Sequence, residues 1–294
     1  MGDVAVLGTG RMGRAMVERL VQDGHSVSVW NRTPSAAADL AERWGCRHAS
    51  SPHDAVAGAD VVICSFAHGA ATESILLDPQ FQEALTEDSI VCDMGTSGPD
   101  TALRLAQEFA ALRPSFVDGP VSGSVSSVLN RQLLVMASGD SDVVDRLRPV
   151  LESFAKMVIY VGPAGQGQKM KLAVNLVLYA LNSAIAEGMA LATSAGIDRD
   201  NAYEVLANSS VAAPYLINKQ ASFLSETSPV TMSLDLVEKD LRLILTMSDL
   251  NNLTLPVLHG VLGEVTQSVD SGFGLADMAD LYPYLMGWEK PQRD

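Results

Sequence analysis

The sequence predicts an α/β domain with a doubly wound, mainly parallel sheet, followed by an all-helical domain that opens on one long helix. Three observations carry this reading. Short apolar, β-rich runs alternate with helix-length amphipathic segments through the first half. The cluster Gly162-Pro163-Ala164-Gly165 then punctuates the chain, and beyond it the strand signal disappears. The domains are therefore expected at 1–163 and 164–294.

Strands are expected at Val4–Leu7, Ser26–Trp30, Val61–Ser65, Ser89–Asp93, Ser115–Asp118, Leu133–Ala137 and Val158–Val161. Most are apolar throughout, as strands covered on both faces are. Helical patterns lie between them at Met12–Asp23, Ser35–Trp44, Ala70–Leu77, Asp100–Leu112 and Asp142–Phe154. Gly167 to about Ala195 reads as one helix, roughly 45 Å long at about 1.5 Å per residue. Further helices are expected at Asp200–Asn208, Pro214–Phe223, Leu234–Leu250, Pro256–Asp270 and Leu275–Leu285.

Composition excludes several classes of function. The 294 residues include 20 Lys+Arg against 35 Asp+Glu, a net charge of −15. Both halves share the acidic excess, so neither offers a basic face to nucleic acid or anionic lipid. Hydrophobic residues make up 47% and charged residues 19%, which is a globular balance. Cys46, Cys64 and Cys92 form no Cys-x-x-Cys and the five His are scattered, so no metal site is expected. The start lacks a basic n-region, and Asn175, Asn182, Ser183 and Glu187 interrupt the apolar stretch Leu172–Ala192. Neither a signal peptide nor a membrane span is expected, and a cytoplasmic location is. That stretch is apolar around nearly its whole circumference, so a homodimer or homotetramer is expected to share its burial.

Directly after the first strand comes Gly8-Thr9-Gly10-Arg11-Met12-Gly13, entering a helix. Gly-x-Gly-x-x-Gly in this context marks a Rossmann-type dinucleotide site. The first glycine makes the turn, the second admits the pyrophosphate, and the third lets helix and strand close up. The helix N-terminus then faces the phosphates with free N–H groups. Where an NAD enzyme places a carboxylate at the end of the second strand, this chain reads Trp30-Asn31-Arg32-Thr33. Arg32 can pair with a 2′-phosphate, and Asn31 and Thr33 can donate to it, so NADP(H) is the expected cofactor.

Two segments carry polar groups that a plain fold would not need: Asp118-Gly119-Pro120-Val121-Ser122-Gly123-Ser124, and Gly165 to Asn175 at the opening of the long helix. The chain has six lysines, and Lys171 and Asn175 stand i and i+4 on one helical face. A lysine partly desolvated there, near a positive nicotinamide, should have a lowered pKa and can shuttle a proton.

The ordered segments GTGRMGRAMVERLVQDGH, NRT, DMGT, DGPVSGS, GPAGQGQKMKLAVN and EKDLRL resemble the β-hydroxyacid dehydrogenase family across nearly the whole chain. That family includes 3-hydroxyisobutyrate dehydrogenases and glyoxylate/succinic semialdehyde reductases, with imine reductases as relatives. The resemblance implies NAD(P)-dependent interconversion of a small hydroxy acid and its aldehyde or keto acid. It implies Lys171 as general acid/base and Asn175 as a substrate-holding residue. Ser122 and Gly123 would hold the substrate carboxylate, Thr96 would lie beside the nicotinamide, and Lys239 would lie close to the cofactor. The candidate cofactor contacts are then Gly8, Thr9, Gly10, Arg11, Met12, Gly13, Asn31, Arg32, Thr33, Ala67, Thr96 and Lys239.

Several positions depart from the family pattern. Ser124 replaces a glycine, Ser127-Val128-Leu129-Asn130-Arg131 replaces Ala-Ala-Glu-x-Gly, and Gly95, Val174 and Met232 replace Ser, Asn and Phe. Leu129, Val174 and Met232 favour an imine reductase with an apolar pocket, while Lys171 favours the hydroxy-acid reading. A third alternative is a non-catalytic NADP-binding scaffold. A His-based dehydrogenase is set aside, because His259 is the only His in the second half.

Overall fold

The computed structural model describes residues 2–225 and 227–291. It comprises two compact units that meet between Lys171 and Leu172. In the first, β1 (Asp3–Leu7), β2 (Ser26–Trp30), β3 (Arg47–His48), β4 (Val61–Cys64), β5 (Ile90–Asp93) and β6 (Ser115–Asp118) form one sheet in the order β3-β2-β1-β4-β5-β6. Every pair is parallel; Val4, for example, pairs with Val27 on one side and Val61 on the other.

The helices of this unit are α1 (Arg11–Gln22), α2 (Pro34–Trp44), α3 (Pro52–Val56), α4 (Gly69–Leu76), α5 (Pro79–Ala84), α6 (Pro99–Ala110), α7 (Val125–Leu129) and α8 (Ser141–Leu151). Alternate strand residues feed two cores. Val4, Val6, Ile63 and Cys92 pack with Met16 and Leu20 of α1 and Leu40 of α2. Ala5, Leu7, Val62 and Cys64 pack with Phe81 of α5 and Leu105 and Phe109 of α6. A strand that buries both rows is apolar at every position, the pattern by which the sequence announces it. Cys64 and Cys92 are packed core thiols, and burial pushes both well above the ordinary thiol range.

One mainly parallel sheet is expected from the sequence, but the last strands form a second sheet. It consists of β7 (Val121–Ser122), β8 (Leu133–Ala137) and β9 (Ala155–Tyr160), with β7 antiparallel to β8 and β8 parallel to β9. Leu133, Val135 and Ala137 of β8 still belong to the α1 core, so the second sheet extends that layer.

The helix α9 (Gln166–Ser194) begins in the first unit and runs on into the second. There α10 (Arg199–Asn208), α11 (Pro214–Asn218), α12 (Gln220–Leu224), α13 (Leu234–Leu250), α14 (Pro256–Ser268) and α15 (Leu281–Leu285) follow. Leu172, Tyr179 and Met189 of α9 share a core with Leu241 and Ile244 of α13 and Val265 of α14. By length and composition alone α9 could cross a membrane. Its buried Asn182, however, donates to Met278 O at 2.9 Å and accepts from Tyr215 Oη at 2.6 Å, as in the core helix of a globular domain.

The helix expected over Pro214–Phe223 is interrupted at Lys219, whose side chain turns inward to Asp277 at 2.5 Å. Burial alone would push Asp277 upward. The Lys219 ammonium and the N–H groups of Ala279 and Thr231 outweigh it and hold the carboxyl below the usual carboxylate range. Lys219→Met leaves that carboxylate buried and unpaired, and should cost about 3–5 kcal/mol in chemical denaturation at pH 7. A depressed carboxyl contributes stability above its unfolded pKa and loses it as pH falls through the folded one. The gap between wild type and variant should therefore narrow on acidification through the carboxylate range.

Candidate active site

At the end of β1 the chain turns through Gly8, with φ +92°, into α1. A Cβ at Gly8 would meet Ser65 O at 2.4 Å, and one at Gly13 would meet Gly8 O at 2.0 Å, whereas Gly10 faces open space. Two glycines thus close the turn against the sheet, and the third leaves room for a ligand's phosphates. No side chain caps α1 at Gly10, so its first N–H groups are available to an anion. The residues present fit the pyrophosphate of a dinucleotide.

Around this loop Asn31 Oδ1 accepts from Thr9 N at 3.1 Å, and Asn31 Nδ2 donates to Thr33 O at 3.2 Å. Asn31 therefore fastens the end of β2 to the glycine loop, a task the sequence reading did not assign it. Arg14, which that reading passed over, donates from Nε to Thr9 O at 3.1 Å and secures the same turn. Arg32 and Thr33 are exposed at the end of β2, with the Thr33 hydroxyl making no cap bond to α2.

The second cluster is built on Asp118, fully buried at the end of β6. Its Oδ1 accepts from Gly165 N at 2.9 Å, and its Oδ2 accepts from Gln168 N at 3.0 Å. Ser138 Oγ donates to Asp118 and accepts from Gly167 N at 2.9 Å. The leading N–H groups of α9 are thus satisfied by a carboxylate and a hydroxyl from the sheet, as at a helix cap supplied from a distance. Burial pushes the Asp118 carboxyl upward despite these donors. Gly167 makes the approach possible, since a Cβ there would meet Met136 O at 2.6 Å and Asp118 Oδ2 at 2.7 Å.

Gln168 extends the attachment: Nε2 donates to Gly95 O at 2.9 Å, and Oε1 accepts from Gly98 N at 3.2 Å. The segment that carries Thr96 is thereby clamped to the first turn of α9, with Lys171 three residues further along the same face. At Gly95 a Cβ would meet Phe66 O at 2.6 Å, so this backbone approach leaves room only for glycine. Ala67 follows Phe66.

Ser122 pairs with Leu134, and Gly123 turns the chain with φ +139°. The divergent stretch from Ser124 to Arg131 is structural. Ser124 and Ser127 cap α7 reciprocally, Val128 is buried in the α1 core, and Arg131 pairs with Asp23 at the end of α1.

In the helical unit Asn175 and Lys239 are brought together by a buried carboxylate. Asp240 is 1% exposed, and Lys239 Nζ lies 2.9 Å from its Oδ1. Its Oδ2 accepts from Asn175 Nδ2 at 2.8 Å and from Tyr179 Oη at 2.6 Å. Met232 packs at the margin of the helical core, and its N–H bonds to Asp277.

A family model described as the NAD binding domain of 6-phosphogluconate dehydrogenase matches residues 3–162. A second, described as NAD-binding of NADP-dependent 3-hydroxyisobutyrate dehydrogenase, matches residues 165–285. Glyoxylate/succinic semialdehyde reductase 1 of Arabidopsis thaliana is 31% identical over 278 residues, which are 94% of this chain and 96% of that protein. The structure of Mycobacterium tuberculosis 3-hydroxyisobutyrate dehydrogenase with L-serine superposes with a TM-score of 0.84 at 27% identity, covering 97% of this chain and 99% of that one. Psf3, in complex with NADP+ and 2-OPP, gives 0.88 at 26% identity over 96% and 99%. An imine reductase from Pseudomonas sp. shares the fold, with 0.65 at 21% identity over 97% and 99%.

Gly167→Ala tests the docking of α9 directly. The added methyl must push the helix start off two backbone oxygens and a carboxylate. A misplacement near 1 Å costs about 10²-fold in rate. Turnover should fall by that order while far-UV circular dichroism stays unchanged.

Proposed function

The chain belongs to the β-hydroxyacid dehydrogenase family, and we propose that within it this protein is an NADP-dependent enzyme. It would interconvert a small β-hydroxy acid and its semialdehyde or keto acid, in the cytosol, as a homodimer or homotetramer. The observation that carries the proposal is Lys171, standing one turn beyond Gln168 on a helix whose start is fixed to the Thr96 segment and to the end of β6. Val177 and Leu191 of α9 are 68% and 75% exposed in the single chain, which supports a covering subunit.

The glycine loop and α1 N-terminus would hold the pyrophosphate, and Arg32 and Thr33 the 2′-phosphate. When bound, the nicotinamide supplies or accepts the hydride. Lys171, as an ammonium, gives a proton to the substrate oxygen as negative charge develops there. In the oxidative direction the neutral amine takes the hydroxyl proton, so that rate should rise with pH. Ser122 Oγ and the Gly123 N–H would orient the substrate carboxylate.

The family resemblance implies a substrate-holding Asn175. Both its amide N–H groups are spent on Tyr179 and Asp240, so what it can offer is an acceptor. An imine reductase remains the competing activity, and Lys171 weighs against it.

Lys171→Ala should lower kcat for glyoxylate or succinic semialdehyde by about 10²–10⁴-fold. An intact kcat, or turnover of a cyclic imine in preference to these aldehydes, would refute the assignment. An Arg–phosphate contact is worth about 1.5–3 kcal/mol. Arg32→Ala should accordingly raise the KM for NADPH by about 10–100-fold and leave that for NADH nearly unchanged, in steady-state assays with each cofactor.

A further inference from the structure

We propose that the groove between α1, α2 and α7 is a second ligand site, fitted to a carboxylate that carries a medium-length aliphatic chain. The groove lies wholly within the first unit and offers about 320 Å³, within the size range of small-molecule sites. Much of its lining is aliphatic. Ala15 of α1 and Leu40 of α2 are buried beneath it, and Val125 and Leu129 of α7 line it from positions i and i+4. Leu129 remains 36% exposed, whereas its neighbour Val128 is buried in the core. An aliphatic chain laid along these side chains would remove them from water.

Three guanidiniums line the same groove, those of Arg11, Arg14 and Arg43. Carboxylates are abundant in this chain, and eight arginines elsewhere are ion-paired. Among the described residues none of these three is, although Glu18 and Asp39 also line the groove. Three cations against two carboxylates leave the groove positive in a molecule of net charge −15. Two of the three are held in place. Arg14 donates from Nε to Thr9 O at 3.1 Å and from Nη2 to Ala36 O at 3.5 Å, and among the described residues its Nη1 has no partner. The Arg43 guanidinium lies 5.6 Å from the centre of the Trp44 ring, which also lines the groove. A guanidinium fixed beforehand loses little freedom on binding, and its planar fork matches a carboxylate. An inorganic anion would leave the aliphatic lining wet, and a neutral alkyl chain would leave the guanidiniums unanswered. The lining therefore selects a ligand that has both parts.

The site is independent of the redox chemistry proposed above. Isothermal titration calorimetry of the full chain with sodium octanoate tests it, with NADP+ in excess so that the glycine loop is occupied. The expected result is one octanoate per chain, bound about tenfold more tightly than butyrate because its longer chain leaves water. 1-Octanol, with the chain and no charge, should show no saturable heat. Arg43→Gln should weaken octanoate binding by about tenfold and Leu129→Gln by about threefold. Should either variant fail to fold, the other variant and the 1-octanol comparison decide. Absence of saturable octanoate binding, 1-octanol binding as tightly as octanoate, or binding left unchanged by both substitutions would overturn the proposal.

Discussion

The carboxylate of Asp118 at the end of β6, with Ser138 beside it, takes up the N–H groups of residues 165, 167 and 168. That attachment sets where α9 begins and how it is rotated. A helix start that is buried needs partners for its leading N–H groups, and here a strand end provides them. Gly167 lets the backbone come close enough, and Gln168 carries the same attachment to the segment with Thr96. Lys171 inherits its direction from this docking, since the first turns of a helix fix the rotation of those that follow.

A second buried carboxylate does comparable work in the helical unit. Asp240 gathers Lys239, Asn175 and Tyr179 from two helices. Asp277 plays the purely structural counterpart, holding Lys219 and the N–H groups around Thr231. Around Asp277 the carboxylate oxygens accept hydrogen bonds, whereas around Asp240 two buried acceptors, Asn175 Oδ1 and Asp240 Oδ1, make none, the latter facing the Lys239 ammonium instead.

The sequence made the parallel sheet and its helices legible because β1, β4 and β5 bury both rows of side chains and so read as unbroken apolar runs. It hid β3 and β7, which are two residues long and too short for any periodicity to register. The short helices α3, α5 and α7 escaped for the same reason. The glycine loop, Arg32, Lys171 and Asn175 could be named from motif and spacing. Asp240 could not be separated from its acidic neighbours Asp235 and Glu238, because burial of one member of a charged run is decided by tertiary packing. Tyr179 and Gln168 each looked like ordinary helix residues, and only the groups opposite them give them a role.

The departures between Ser124 and Arg131 have a physical account in the capped helix α7, its buried Val128 and the pairing of Arg131 with Asp23. The central claim concerns the amine at position 171, and a crystal structure of the protein with NADPH and a non-reacting hydroxy-acid analogue measures it most directly. The account predicts Lys171 Nζ within about 2.6–3.2 Å of the analogue's oxygen, the range a proton-transferring group requires. An amine facing bulk water, with another side chain against that oxygen, would contradict it.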